Sequence, residues 1–256
     1  MIELRNVHFA YDEKEVLRGI NLQIDYGEAV VIMGPSGSGK STILRLLLGL
    51  ECPQKGDVLI DQQDICNLPE KDKREIRKNI GMVFQNGALF DSLSVGENVG
   101  YYLFEHTRMT LDEISEKVEK MLGFVGLDSD EIIDRLPEQL SGGMQRRVAI
   151  GRALLSTDPK IMLYDEPTTG LDPQSGANIL RLIKKLHLER NICSIMVTHQ
   201  IADALQIGDR FVVIVEGLVV FDGSLDELRE SQELDVLNFL APFRESLHGV
   251  TNKRFI

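Results

Sequence analysis

The stretch Gly34-Pro35-Ser36-Gly37-Ser38-Gly39-Lys40-Ser41-Thr42 constrains this chain more than any other. It fits G-x-x-x-x-G-K-[ST]. It follows the apolar run Ala29–Met33, which reads as a buried strand, and precedes Ile43–Leu48, which reads as a helix. Glycines let backbone N–H groups turn inward around a polyphosphate, and the helix start adds its positive dipole end. Lys40 can reach the β- and γ-phosphates, and Ser41 can ligate Mg²⁺. An accidental match would arise in roughly one chain in a hundred of this length, and the strand–loop–helix setting lowers that further. The expectation is a nucleotide site. No aspartate is followed by glycine three positions on, so the D-x-x-G of GTPases is missing and adenine is the more natural base. Tyr11 can stack its ring on adenine, although alone it also fits a core or edge-strand aromatic.

Around this loop the chain reads as alternating strand and helix. Ile2–Phe9, Val16–Ile24 and Ala29–Met33 are strand-like, separated by turns at Asp12-Glu13 and Tyr26-Gly27-Glu28. Val58–Asp61 and Ile80–Gln85 read as further strands. From Asn86 to Thr157 the pattern turns helical, with Leu111, Ile114, Val118, Met121, Leu122 and Val125 on one face. In that stretch Asp112 with Lys117, and Glu116 with Lys120, set opposite charges on neighbouring turns. Strand Ile161–Tyr164, helix Gln174–Glu189, strand Cys193–Thr198, helix Gln200–Gln206 and a hairpin of Phe211–Val215 with Val219–Phe221 follow. An α/β nucleus interrupted by a helical insertion is the expected fold class.

Charge and composition prune the functions available. The 256 residues carry 40 acidic against 28 basic side chains, a net charge of −12. A nucleic-acid binder that tracks phosphates would carry a basic excess, so nucleic acid is not expected as a partner. Direct docking on anionic lipid is disfavoured for the same reason, so work at a membrane would need another protein as the anchor. No apolar run approaches the length of a membrane-spanning helix, and the start of the chain lacks the apolar stretch of a signal peptide. Cys52, Cys66 and Cys193 show neither even number nor metal-ligand spacing, and read as free thiols of a reducing compartment.

A second constellation lies downstream. Ile161–Tyr164 runs into Asp165-Glu166, where Asp165 can hold a magnesium-bound water and Glu166 can polarise the attacking water. Leu140-Ser141-Gly142-Gly143-Met144-Gln145 precedes a helical stretch, Arg146–Leu155. Its free N–H groups at a helix start make a second anion site. Ser141 also suits a plain N-cap. Two glycines after it weaken a helix for no structural gain, which favours the ligand reading.

On these residues the chain resembles the ATP-binding-cassette ATPases over about residues 1–225. Leu140–Gln145 matches their signature motif, Gln85 their Q-loop, Thr169-Gly170-Leu171-Asp172 their D-loop, and His199 their switch histidine after a strand. Met144 and Gly170 depart from commoner residues without removing a catalytic group. The resemblance implies a P-loop NTPase (RecA-like) core with an N-terminal antiparallel β subdomain and an inserted α-helical subdomain. The core would span 1–86 and 157–224, the helical subdomain 87–156, and a tail 225–256. It implies ATP hydrolysis with Mg²⁺ held by Ser41, Gln85 and, through water, Asp165. Glu166 would be the general base, assisted by Lys40, Gln85 and His199. It also implies a head-to-tail dimer, with Ser141, Gly142, Gly143 and Gln145 of one chain closing on the ATP of the other.

The segment Phe84–Val99, with Glu105-His106 after it, resembles the ATPases of MCE-associated phospholipid transporters. That implies permease subunits, an MCE-domain protein and a small accessory subunit as partners, and a place on the cytoplasmic face of a bacterial inner membrane. A lipoprotein-release or small-solute transporter, or a cassette signalling to a cell-division membrane partner, are the alternatives. Leu89, Phe90 and Leu93 would line the groove that receives a permease helix, although Leu93 also suits core. Ser224–Glu233 reads as an N-capped acidic helix. Val236, Leu237, Phe239, Leu240, Phe243 and Leu247 beyond it would either pack back on their own domain or cross to another subunit. Pro242 is expected to interrupt any helix there.

Overall fold

A computed structural model describes residues 1–243. Contacts along the chain divide it into two units, Met1–Leu68 with Met196 onward, and Pro69–Ile195. The first unit opens with β1 (Ile2–Tyr11), β2 (Lys14–Ile24), β3 (Ala29–Met33), α1 (Lys40–Leu47), β4 (Lys55–Ile60) and β5 (Gln63–Asp64). The second holds α2 (Glu70–Arg77), β6 (Ile80–Val83), α3 (Val95–His106), α4 (Leu111–Phe124), α5 (Ser129–Ile132), α6 (Gly142–Thr157), β7 (Ile161–Asp165) and α7 (Pro173–Arg190). The division falls inside β8 (Cys193–Thr198). The first unit then resumes with α8 (Ile201–Ile207), β9 (Arg210–Val215), β10 (Leu218–Gly223), α9 (Leu225–Glu230) and α10 (Leu234–Leu240).

In the first unit β2, β1, β4 and β5 form an antiparallel sheet in that order. Ile2, Leu4, Val7 and Phe9 of β1 face its core, the alternation slipping at a bulge where Asn6 takes φ 46°. β3 is buried along its whole length and pairs in parallel with β9, as a strand covered on both faces must be apolar throughout. β9 and β10 form the expected hairpin, with Glu216 and Gly217 both at positive φ (48° and 77°), the geometry a two-residue turn requires. In the second unit β6 pairs in parallel with β7, and α3, α4, α6 and α7 pack about one another.

Capping boxes at Ser94/Glu97, Thr110/Glu113 and Ser224/Glu227 fix the starts of α3, α4 and α9. Helix α4 buries Ile114, Val118, Met121 and Leu122, as their spacing requires. Lys120 pairs with Glu116. Lys117, however, interacts with Glu113 rather than Asp112. Residues five apart lie about 140° apart around a helix, whereas residues four apart share a face.

Helix α1 begins at Lys40, as the phosphate-loop reading requires, because Gly39 at φ 100° turns the chain directly into it. Two expectations are corrected. Cys52 and Cys66 are joined as a disulfide, with Cα atoms 5.6 Å apart, and only Cys193 stays a buried free thiol. The β4–β5 hairpin folds Cys66 back toward the end of α1, which a separation of 14 residues does not disclose. The acidic helix after Ser224 stops at Glu230, and a separate α10 packs on β10 with Val236 and Leu240 buried. The helix turns 3₁₀ over Ala241–Phe243, at Pro242. Leu247 lies outside the described residues.

One buried polar side chain organises the approach to α3. Asn98 is fully buried, accepts the Phe90 N–H at 2.9 Å, and reaches the carbonyls of Phe90, Leu93 and Ser94 at 3.0 Å each. It thereby replaces the water that this loop backbone would otherwise need. Asn98→Ala leaves those groups unpaired and is expected to lower stability by about 2–4 kcal/mol. Urea unfolding would show it as a lower midpoint at constant slope, and a midpoint equal to wild type would contradict the assignment.

Candidate functional site

The first unit supplies the phosphate loop. β3 delivers the chain to Gly34, where a Cβ would lie 2.1 Å from the carbonyl oxygen of Ile214 in β9. Only glycine leaves the strand so close to its neighbour. Pro35, Ser36 and Gly37 are exposed, and nothing lies within 4 Å of the Cβ position at Gly37. Lys40, the first residue of α1, is 6% exposed, and its Nζ donates to the carbonyls of Gly34 (2.9 Å) and Pro35 (2.8 Å). The loop is thus curled around an ammonium. The Ser38 hydroxyl is buried within it and has no hydrogen-bond partner. A buried donor lacking an acceptor, beside a lysine at a helix start, fits a polyphosphate.

The other residues of that unit flank the loop in sequence. Tyr11 is 38% exposed, stands edge-on to Phe9 at 4.8 Å between ring centroids, and accepts a hydrogen bond from Arg45 of α1 at 3.2 Å. Its ring is available for stacking. Ser41 is exposed at the first turn of α1 and Thr42 is buried. His199 is exposed just past β8, where the Thr198 hydroxyl accepts the Gln200 N–H at 3.0 Å.

The second unit gathers the remaining candidates. β7 ends at Asp165, and Glu166, 9% exposed, takes φ 47°. A glutamate in the left-handed region is strained, and such strain collects at functional positions. The Thr169 hydroxyl donates to Glu166 Oε2 at 3.0 Å and holds the carboxylate's orientation. Asp172 caps α7, accepting the Ser175 N–H at 3.0 Å. Hydrogen bonds from the Ser175 side chain and backbone keep the Asp172 carboxyl below the usual carboxylate range.

Ser141 caps α6, accepting the Met144 N–H at 3.3 Å. Gln145 Nε2 donates to the carbonyls of Pro137 (2.7 Å) and Leu140 (3.3 Å), tying down the turn before the helix. The second of the two glycines has a packing role. A Cβ on Gly143 would meet the Ser175 side chain at 2.8 Å, so α6 approaches α7 as closely as it does only without one. Gly142, by contrast, is exposed with Ser141 at the helix start. A cleft of about 340 Å³ brings together Gln85, Gly142, Gln145, Arg146, Thr169 and Gly170.

Three residues with evident work in this unit carry no local sequence signature. Asn98 holds the loop after Gln85. Arg146 is 5% exposed and donates to the Phe84 carbonyl. Arg152 donates to the Gly87 carbonyl at 3.1 Å and lies over the Phe90 ring at 5.4 Å. An asparagine within an apolar helix stretch, and arginines on the same helix as buried Val148, Ile150 and Leu154, are the only hints. Among the described residues no cluster of three His, Cys, Asp or Glu side chains forms a metal site. The Ser41 hydroxyl and the Asp165 carboxylate are hard oxygen donors of the kind Mg²⁺ takes beside waters and phosphate oxygens.

Comparison with known proteins agrees with this geometry. The model of the ABC transporter family matches residues 17–169. The chain is 40% identical to the intermembrane phospholipid transport system ATP-binding protein MlaF of Haemophilus influenzae, over 94% of this chain and 90% of that protein. It is 39% identical to the sulfate/thiosulfate import ATP-binding protein CysA of Pseudomonas putida, over 93% of this chain and 71% of that protein. A dimeric ATP-binding cassette in a post-hydrolysis state, bound to ADP and Pi, superposes with a TM-score of 0.79 at 37% identity, covering 88% of this chain and 98% of that one. The fold is that of a P-loop NTPase with an antiparallel β subdomain and inserted helices. With ATP as substrate, Mg²⁺ as its ion and a transporter to power, the chain belongs to the ABC transporter family as one of its ATP-hydrolysing cassettes.

Proposed function

We propose that this cassette powers phospholipid movement between the inner and outer membranes of a bacterium, held at the inner membrane's cytoplasmic face by permease subunits. The observation that carries this reading is the match to the phospholipid transport ATPase along nine-tenths of both chains. An MCE-domain protein and a small accessory subunit are the further partners it calls for. Solute import is the second reading, favoured by the sulfate/thiosulfate relative at 39% identity. Reconstitution with its permease separates them. ATP-dependent transfer of a fluorescent phospholipid between vesicles is expected, and sulfate uptake without lipid transfer would overturn it.

For the chemistry, the loop Gly34–Thr42 grips the phosphates of ATP, Tyr11 stacks on the adenine, and Lys40 exchanges its carbonyl partners for phosphate oxygens. Ser41, Gln85 and, through a water, Asp165 would hold Mg²⁺, which would supply charge neutralisation to the phosphates. Glu166, oriented by Thr169, accepts a proton from water as its oxygen attacks the γ-phosphorus. The bond to the ADP oxygen breaks with its electrons, and His199 steadies the departing phosphate. In the head-to-tail dimer Ser141, Gly142 and Gly143 of the second chain meet the γ-phosphate, with Gln145 holding their turn and Asp172 the neighbouring one. We assign nucleotide chemistry to 1–86 and 157–224, the closing surface to 87–156, and leave 225–256 as a tail.

Docking to the permease is assigned to the aromatic surface of the segment after β6. Phe84, Phe90, Tyr101 and Phe104 are four of the six exposed aromatic residues among those described. Phe90 and Tyr101 lie 4.7 Å apart between ring centroids, and Leu89 and Leu93 of the same segment are half-buried. Exposed aromatic rings concentrated in one segment, two of them in contact, support an interaction surface there.

Glu166→Gln is expected to cut ATP turnover by about 10²–10⁴ while ATP still binds, measured as phosphate release beside a fluorescent-ATP titration. Turnover within about threefold of wild type would remove Glu166 from the base role. Lys40→Ala should instead weaken ATP binding itself, because the loop loses the ammonium it curls around, and an unchanged titration would contradict the cradle. Phe90→Asp should leave the isolated subunit folded but lose co-purification with the permease. Normal co-purification would sink the docking surface.

A further inference from the structure

Helix α6 does more than present Ser141–Gly143. Arg146, Ala149 and Arg152 follow one another at a spacing of three along it, forming a single stripe. The loop that carries Gln85 lies on that stripe. Arg146 donates to the Phe84 carbonyl and Arg152 to the Gly87 carbonyl, so the two bonds bracket Gln85 and Asn86. Residues 84–87 form a tight turn, closed by the Gly87 N–H donating to the Phe84 carbonyl at 2.9 Å, so the two arginines grip the two ends of one compact turn from along the helix. Ala149 lies between the two arginines on the helix, and a Cβ on Gly87 would stand 3.7 Å from its Cβ, so the turn lies close to the helix surface there. The same Arg152 guanidinium covers the Phe90 ring.

We infer that Arg146 and Arg152 form a two-point clamp that makes the Gln85 loop and helix α6 one mechanical body. Carbonyl oxygens bonded by guanidinium groups that are buried, as at Arg146, or half-buried, as at Arg152, are costly to release, because release strands a cation with little water around it. Arg146 is the tighter point. It is nearly fully buried, its Nε has no partner, and the Asp165 carboxylate acts on it from the end of β7. Displacement of the Ser141 end of α6 therefore carries Gln85 and Phe90 with it. Both arginines are positioning residues. Their importance for turnover rests on the roles proposed for Gln85 and Ser141, whereas the clamp itself does not.

Hydrogen exchange by mass spectrometry, on the full nucleotide-free chain, reads the clamp directly. Arg146→Met and Arg152→Met are each expected to speed exchange of peptides covering residues 84–90 by about tenfold, with α3 and α6 still protected. In parallel ATPase assays Arg146→Met should lower kcat with KM for ATP within about twofold, since the phosphate loop is untouched. Arg146→Lys should recover part of both effects, because an ammonium still donates to the Phe84 carbonyl. Unchanged exchange over residues 84–90, or loosening spread equally through α3 and α6, would overturn the clamp. If the Met variants do not fold, the Lys variants give the same readout at smaller amplitude, and no loosening in either would also overturn it. Loosened exchange with unchanged kcat would instead leave the clamp standing and count against Gln85 in hydrolysis.

Discussion

The interaction on which the first unit turns is the pair of hydrogen bonds from Lys40 Nζ to the carbonyls of Gly34 and Pro35. A nearly buried ammonium needs acceptors, and the loop curls to supply them. That curl is open to the chain only because Gly34 lies against the Ile214 carbonyl, where a side chain has no room, and because Gly39 turns straight into α1. β3 and β9 must be parallel neighbours for Ile214 to stand there. The run of apolar residues in both strands is what makes them so. Sequence, sheet pairing and loop are thus one constraint, and the anion site is its outcome.

The second unit meets a related requirement with different means. Its candidate residues lie in turns between elements, where backbone groups lack the partners that strands and helices provide. Side chains take over that duty. Thr169 holds Glu166, Gln145 holds the turn before Ser141, and Asn98 holds the loop from Phe90 to Ser94. Each is a fixed donor set against an otherwise mobile segment, so the geometry is set before any ligand arrives. The exception is Glu166 itself, whose left-handed backbone stores strain at the position assigned to the base.

What could be read from the sequence was what is local. The phosphate loop, the Asp165-Glu166 pair, the capping of α9 by Ser224 and the apolar face of α4 all depend on residues within a turn or two of each other. What escaped depends on distant backbone. Arg146 and Arg152 bond carbonyls 62 and 65 residues away, and a carbonyl has no sequence identity to recognise. Cys52 and Cys66 meet through a hairpin whose second strand, Gln63–Asp64, is too short to show a pattern. Gly143 looked like a ligand residue alone until the close approach of Ser175 gave it a packing role.

The central claim is that one chain's Ser38–Lys40 loop and another chain's Ser141–Gly143 turn enclose the same ATP. Thiol cross-linking tests it most directly. A Ser38→Cys chain is mixed with a Ser141→Cys chain, with Glu166→Gln in both to keep ATP intact, and treated with a short bifunctional thiol reagent. The account predicts a covalent heterodimer of the two chains that forms with ATP and Mg²⁺ and fails to form with ADP. A cross-link formed equally without nucleotide, or none with ATP bound at saturation, would contradict it.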